Sequence, residues 1–163
     1  GAYALGKAQR VIKLIREAGH DAPIYLHGAQ EKLCGYYMEQ RIDLGDLRKA
    51  LDREKESFRG HIVIAPPSAL RDRWSRRLPD PVVCQASGWM TIKQRAKQSG
   101  VELPLVISDH ADWNELTTTI AATGAETVWV THGREDALVH WCRQRGLAAE
   151  PLYIQGREED LSE

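Results

Sequence analysis

Few features of this 163-residue sequence are extreme, and the scarcities come first. The three cysteines, Cys34, Cys84 and Cys142, are odd in number, far apart and without a CxxC pair. That excludes a disulfide framework and a structural zinc knot and leaves them as small core residues. No apolar run approaches the ~20 residues that span a bilayer, and no signal-peptide pattern opens the chain, so an intracellular, cytoplasmic protein is expected. Charge of one sign is lacking too: 22 basic against 23 acidic residues give a net charge of -1, unlike a cationic nucleic-acid packaging protein. There is no GxxxxGK(S/T), no GxGxxG after a strand, no HExxH and no GxSxG, so ATPase, dinucleotide-enzyme, zincin and α/β-hydrolase readings lose their main support. Internal repeats and low-complexity segments are missing. The initiating methionine is missing as well, and a helix-like sequence follows Gly1 within a few residues; a piece of a longer protein is the expectation.

What remains is an ordinary globular mixture, 42% hydrophobic and 28% charged, at single-domain size. Its charge is unevenly spread. Between Ser68 and Gln98, seven basic residues (Arg71, Arg73, Arg76, Arg77, Lys93, Arg95, Lys97) and two acidic ones (Asp72, Asp80) leave +5, with Trp74 and Trp89 among them. Such a stretch can follow a phosphate backbone and stack bases, although a basic run of this size reads first as a solvated helix face and a loop. The last fourteen residues carry -4, from Glu150, Glu158, Glu159, Asp160 and Glu163 against Arg157.

Periodicity predicts helices at 7–18, with Ala8, Val11, Ile12, Ile15 and Ala18 on one face, and at 30–41, 112–123 and 134–145. An exposed, charged helix with Leu44, Leu47 and Leu51 as its spine is expected at 43–59, and a helix capped by Ser68 at 68–77. Strands are expected at 23–27, 61–65, 82–86, 103–108, 127–131 and 151–154, and a long loop at 91–100. Six short strands interleaved with helices indicate an α/β protein with a mostly parallel sheet.

In such sheets ligands gather outside the carboxyl ends of the strands. Those ends are His27-Gly28, Pro66-Pro67-Ser68, Ser87-Gly88, 108–112 and Thr131-His132-Gly133. His110 and His132 thereby fall on one rim, and imidazole serves both zinc ligation and proton transfer near neutral pH. Asp112 is placed either to orient the His110 ring or to cap the following helix. A strand-end histidine is more often a satisfied polar residue than a ligand; two together strengthen the functional reading.

Four stretches carry a resemblance: 2–10 (AYALGKAQR), 65–70 (APPSAL), 86–90 (ASGWM), and 107–113 (ISDHADW) followed by 131–133 (THG), whose histidines are 22 residues apart. Together they resemble the metallo-β-lactamase-fold nucleases of the β-CASP group, in particular the ligase-associated DNA exonucleases and mRNA 3′-end processing factors. The resemblance implies a Rossmann-like β-CASP insert at 1–100 and the C-terminal portion of a metallo-β-lactamase fold at 101–163. It implies two-zinc hydrolysis of a DNA or RNA phosphodiester, with His110 protonating the departing 3′ oxygen, Asp112 behind it, and His132 as the last zinc ligand. Lys7, Ser68, Arg73, Ser87 and Arg95 are the candidate phosphate contacts.

The family's HxHxDH motif has no counterpart here, and His20, His27, His61 and His140 do not stand in its spacing. This chain alone is therefore expected to bind no zinc and to be inactive without the N-terminal half of the lactamase fold. A DNA ligase or helicase is an implied partner, and exposed sheet edges invite pairing of two copies. The alternative is a non-catalytic α/β nucleic-acid-binding module whose histidines are structural.

Overall fold

A computed structural model describes residues 1–51, 54–132 and 135–152. The chain is α/β and divides into two compact units, Gly1–His110 and Ala111–Glu163.

The first unit is built on short parallel strands. In α1 (Lys7–Glu17) the apolar stripe buries Ala8, Val11 and Ile12, and Gly19 follows at φ 89, where an L side chain would be strained. Next come β1 (Ile24–Leu26), α2 (Gly28–Glu39), β2 (Leu47–Lys49) and β3 (Ile62–Ile64), the strands paired in the order β2-β1-β3. A second parallel pair joins β4 (Cys84–Ala86) to β5 (Leu103–Leu105), with α3 (Lys93–Gln98) between them in the chain.

Residues 1 and 2 lie between these two sheets. Ala2 N donates to Ala65 O (2.9 Å), the Gly1 amine to Cys84 O (2.7 Å), and Ala86 N to Gly1 O (2.8 Å). Donation to Cys84 and acceptance from Ala86 by one residue is the slanted pattern of a parallel ladder. The carboxyl ends of β1, β2 and β3 therefore lie at one edge of their sheet, and those of β4 and β5 at one edge of theirs. Ala2, Ala8, Ile12, Ile24, Leu26, Cys34, Leu44, Ile64 and Ala86 form its main core, and Tyr25 packs edge-on to Phe58 at 5.4 Å in a smaller one.

Three expectations within this unit are corrected. Residues 43–59 do not form one charged helix. Gly45 turns at φ 71, the Arg16 guanidinium donates to Leu44 O (3.1 Å) and Asp46 O (2.8 Å), Leu44 is fully buried, and the chain then enters β2. β2 is thus a strand where the sequence pattern places a helix. The helix expected at 68–77 is two 3-10 turns, Pro67–Arg71 and Arg73–Arg77: proline at the first turn displaces Ser68 from the cap, and the Asp72 side chain caps the second turn. The loop expected at 91–100 contains α3, which buries Ala96.

The second unit contains α4 (Trp113–Thr123), β6 (Thr127–Val130), α5 (Glu135–Gln144) and β7 (Ala148–Pro151), with β6 and β7 parallel. Val130, Val139, Cys142 and Ala149 form its core. The strand expected at 151–154 starts earlier, at Ala148; Ile154, Arg134, Gly133 and the acidic residues Glu158, Glu159, Asp160 and Glu163 lie outside the described residues. No helix among the described residues is long and apolar enough to cross a membrane. The cysteines are free; Cys34 and Cys142 are buried, Cys84 half-buried, and burial pushes the Cys34 and Cys84 thiols up, away from reactive thiolates.

Candidate functional site

The strand edge of the first unit gathers several predicted residues. After β5 the chain turns through Ser108, Asp109 and His110. The Ser108 hydroxyl accepts from His110 N (3.1 Å), an ST-type turn that fixes the main chain ahead of the imidazole. The turn is also held from α1. Arg10 Nη1 donates to Ser108 O (2.7 Å), and Lys7 Nζ lies 2.8 Å from Asp109 Oδ1. Lys7 and Arg10 are three residues apart and so share one face of the helix.

Lys7 is only 3% exposed, which requires a partner for its ammonium; the Tyr3 ring covers it 5.4 Å away. Its hydrogen bond holds the Asp109 carboxyl below the usual carboxylate range. The same Oδ1 is 3.2 Å from His110 Nδ1, while the His110 side chain is 86% exposed. His110 is thus an imidazole with a carboxylate oxygen 3.2 Å from one nitrogen and its ring otherwise open to solvent.

Buried glutamines support this corner. Gln30 Nε2 donates to Ala2 O (2.8 Å) and Gln9 Nε2 to Ala4 O (2.9 Å), fixing the segment that leads from the sheet into α1. Sequence reasoning does not single out Gln9, Gln30, Arg10 or Asp109. Asp109 alone has a local signal, as an acid adjacent to the candidate histidine.

Beside this corner lies the turn after β4. Ser87 is buried and its hydroxyl accepts from Trp89 N (3.2 Å), so it serves as a cap. Gly88 approaches Ser108 so closely that a β-carbon would lie 3.2 Å from the serine Cβ and Oγ. The adjoining Trp89 is 58% exposed, with the Arg95 guanidinium 4.0 Å from its ring centroid. A planar cation on an exposed indole makes a flat, positively charged platform. Ser68 and Arg73 are exposed on the two 3-10 turns after β3. In the same region Trp74 lies 4.6 Å from the His27 ring and 5.9 Å from the Arg77 guanidinium. Of the predicted phosphate contacts, Ser68, Arg73 and Arg95 are accessible, whereas Lys7 and Ser87 are buried and committed to Asp109 and Trp89.

Asp112 and His132 belong to the second unit. The Asp112 side chain accepts from Glu115 N (2.8 Å) and Glu115 Oε2 accepts from Asp112 N (3.1 Å), a complete capping box at the start of α4. The carboxylate placed at the His110 ring is Asp109. His132 follows β6 at φ 76, a left-handed conformation uncommon for a non-glycine residue, and its N–H donates to Glu135 Oε1 (3.2 Å). Among the described residues, no three His, Cys, Asp or Glu side chains are grouped to hold a metal ion. These residues alone do not supply the donor set that zinc needs.

No family model matches the chain, and no solved structure matches it. Among curated proteins it is similar to one named "Probable DNA ligase" from Opitutus terrae (strain DSM 11246 / JCM 15787 / PB90-1), with 28% identity over 147 residues. Those residues are 90% of this chain and 14% of that protein, so the chain spans a small part of the relative it matches.

Proposed function

We propose that this chain forms the substrate wall and part of the active site of a DNA phosphodiesterase that works beside strand joining. The observation that carries the reading is His110, an exposed imidazole after β5, on a turn packed against the one that bears Trp89, over whose ring the Arg95 guanidinium of α3 lies. Similarity to a protein named as a DNA ligase supports DNA over RNA, and a ligase as partner belongs to the same proposal.

In this reading Arg73 and Arg95 contact phosphates, Trp89 stacks a base of a single strand, and His110 gives a proton from Nε2 to the oxygen leaving phosphorus as the P–O bond breaks. His132 is assigned to a zinc site whose other donors come from elsewhere in the intact protein, and the family resemblance adds exonuclease action in DNA repair. The β-CASP insert and lactamase-fold portions belong to the same proposal.

Two measurements test it. In the intact protein, His110→Ala lowers DNA cleavage by roughly 10²–10⁴-fold while affinity stays near wild type; unchanged cleavage removes the catalytic role. In the 163-residue chain, Arg73→Ala with Arg95→Ala weakens single-stranded DNA binding and reduces the log–log salt slope by roughly 0.7 for each phosphate that is no longer neutralised. A wild-type slope removes the interface.

A further inference from the structure

We infer that Asp109, held by the buried Lys7, is the positioning residue that fixes the tautomer and direction of the His110 ring, so that Nδ1 carries the inward proton and Nε2 is the nitrogen presented to a substrate. This rests on the reading of His110 as a proton donor, but its structural half stands or falls separately.

The geometry is specific. One carboxylate oxygen, Asp109 Oδ1, lies 2.8 Å from Lys7 Nζ and 3.2 Å from His110 Nδ1. The contact is an ion-pair distance, and a carboxylate so close can accept from Nδ1–H in either the neutral or the charged ring with a small rotation, which leaves Nε2 on the solvent side. The lysine has two effects. Its ammonium keeps the carboxylate ionised and therefore an acceptor, and its burial at the start of α1 fixes where that carboxylate sits. Main-chain restraint comes from elsewhere, through Ser108 Oγ to His110 N and Arg10 to Ser108 O, so the carboxylate can be altered without unfolding the turn.

Lysine is well suited to this task. It is cationic, so it cannot accept the histidine proton, and it donates to Asp109 without occupying the imidazole. Asp112, the other acid beside His110 in sequence, is engaged by the capping box of α4. The structure thus separates two aspartates that look interchangeable in the sequence: one serves the ring, the other the helix.

The test is a long-range proton–nitrogen NMR correlation of the imidazole rings in the 163-residue chain, above the titration range of histidine, with His110 assigned by its loss in His110→Ala. Wild type is expected to show Nδ1–H as the major neutral form at His110. In Asp109→Asn the ring shifts toward Nε2–H, the form a neutral histidine prefers without a partner, and Asp109→Glu restores part of the wild-type pattern. Lys7→Met gives an intermediate ratio. Since Lys7 is buried, its result is read only with a wild-type circular dichroism spectrum, and the Asp109 variants decide the matter alone if that spectrum changes. Asp112→Asn leaves the His110 pattern unchanged.

A wild-type ring already in the Nε2–H form overturns the inference. So does an Asp109→Asn ring that keeps Nδ1–H, or an Asp112→Asn ring that changes instead. In the intact protein, Asp109→Asn lowers the cleavage rate at saturating DNA more than it alters DNA affinity, and Asp109→Glu recovers part of it. If the NMR result holds but cleavage by Asp109→Asn and His110→Ala is wild type, the ring assignment survives and the proposed function fails.

Discussion

The two histidine-bearing strand ends are built in different ways. His110 has a supporting structure of side chains behind it: a buried lysine, an arginine on the adjacent helical turn, a serine hydroxyl and a carboxylate. His132 is held through its main chain, by the Glu135 carboxylate, in a left-handed conformation. A lysine buried to 3% exposure, as Lys7 is, persists only when a partner for its charge is in place, and that partner, Asp109, is the carboxylate beside the imidazole. The second unit commits backbone strain instead, which concentrates at functional positions. Side-chain support fixes a ring, whereas main-chain support fixes where a ring starts and leaves its direction to what it binds.

The hardest blow to that contrast is a cavity under the helix that carries Lys7 and Arg10. Ile12 is fully buried on the face of α1 opposite to solvent, in the same helix as Lys7 and Arg10. Ile12→Ala is expected to cost about 2–5 kcal/mol, read from urea denaturation. A cost below about 1 kcal/mol would mean that α1 is not the anchor described above.

A smaller change addresses the second unit alone. Asp112→Ala removes the capping box and should cost about 1 kcal/mol, with faster amide hydrogen exchange in the first turn of α4. The His110 environment should not respond; if it does, the assignment of the two aspartates is wrong.

The smallest effect is a pH dependence. The Lys7 hydrogen bond lowers the Asp109 pKa in the folded state, so the unfolded chain binds more protons in the acid range and stability falls as pH falls. This contribution is complete above the ordinary carboxylate pKa of 3.8 and is lost as pH drops through the lowered folded value. Comparing urea midpoints of wild type and Asp109→Asn from neutral to acid pH isolates it, and their difference should shrink on acidification. A third of the Asp109 side chain is exposed, so solvent screening keeps the effect small.

Much of the fold is legible in the sequence because periodicity reports burial directly: α1, α2, α4, α5 and the strands around Tyr25, Val63, Gln85 and Trp129 fall close to where the pattern puts them. Residues 43–59 mislead because alternating charge with leucines at helical spacing imitates an amphipathic helix. The decisive influences are the turn at Gly45 and the Arg16 clamp on distant carbonyls, the second of which has no local sequence signal. Ser68 has a cap's chemistry, but Pro67 takes the first turn. The candidate site is half legible. Strand-end logic points to His110 and to the turn of Trp89, since both lie at sheet ends. Pairing of Lys7 with Asp109 is hidden, because nothing nearby in sequence distinguishes a buried lysine from a surface one.

The ladder made by Gly1 and Ala2 sets the order in which the first unit can assemble. These residues leave the ribosome well before their partners at Ala65 and at Cys84 and Ala86. Closing so long a loop carries its entropic cost before any contact returns it, and sequence-distant pairing is a slow route to a native state. Alpha-helical structure in α1 can form early, yet the corner that holds His110 cannot close until β5 and the turn after it exist. The unit is therefore expected to fold in one late step, with its sheet and its candidate site appearing together.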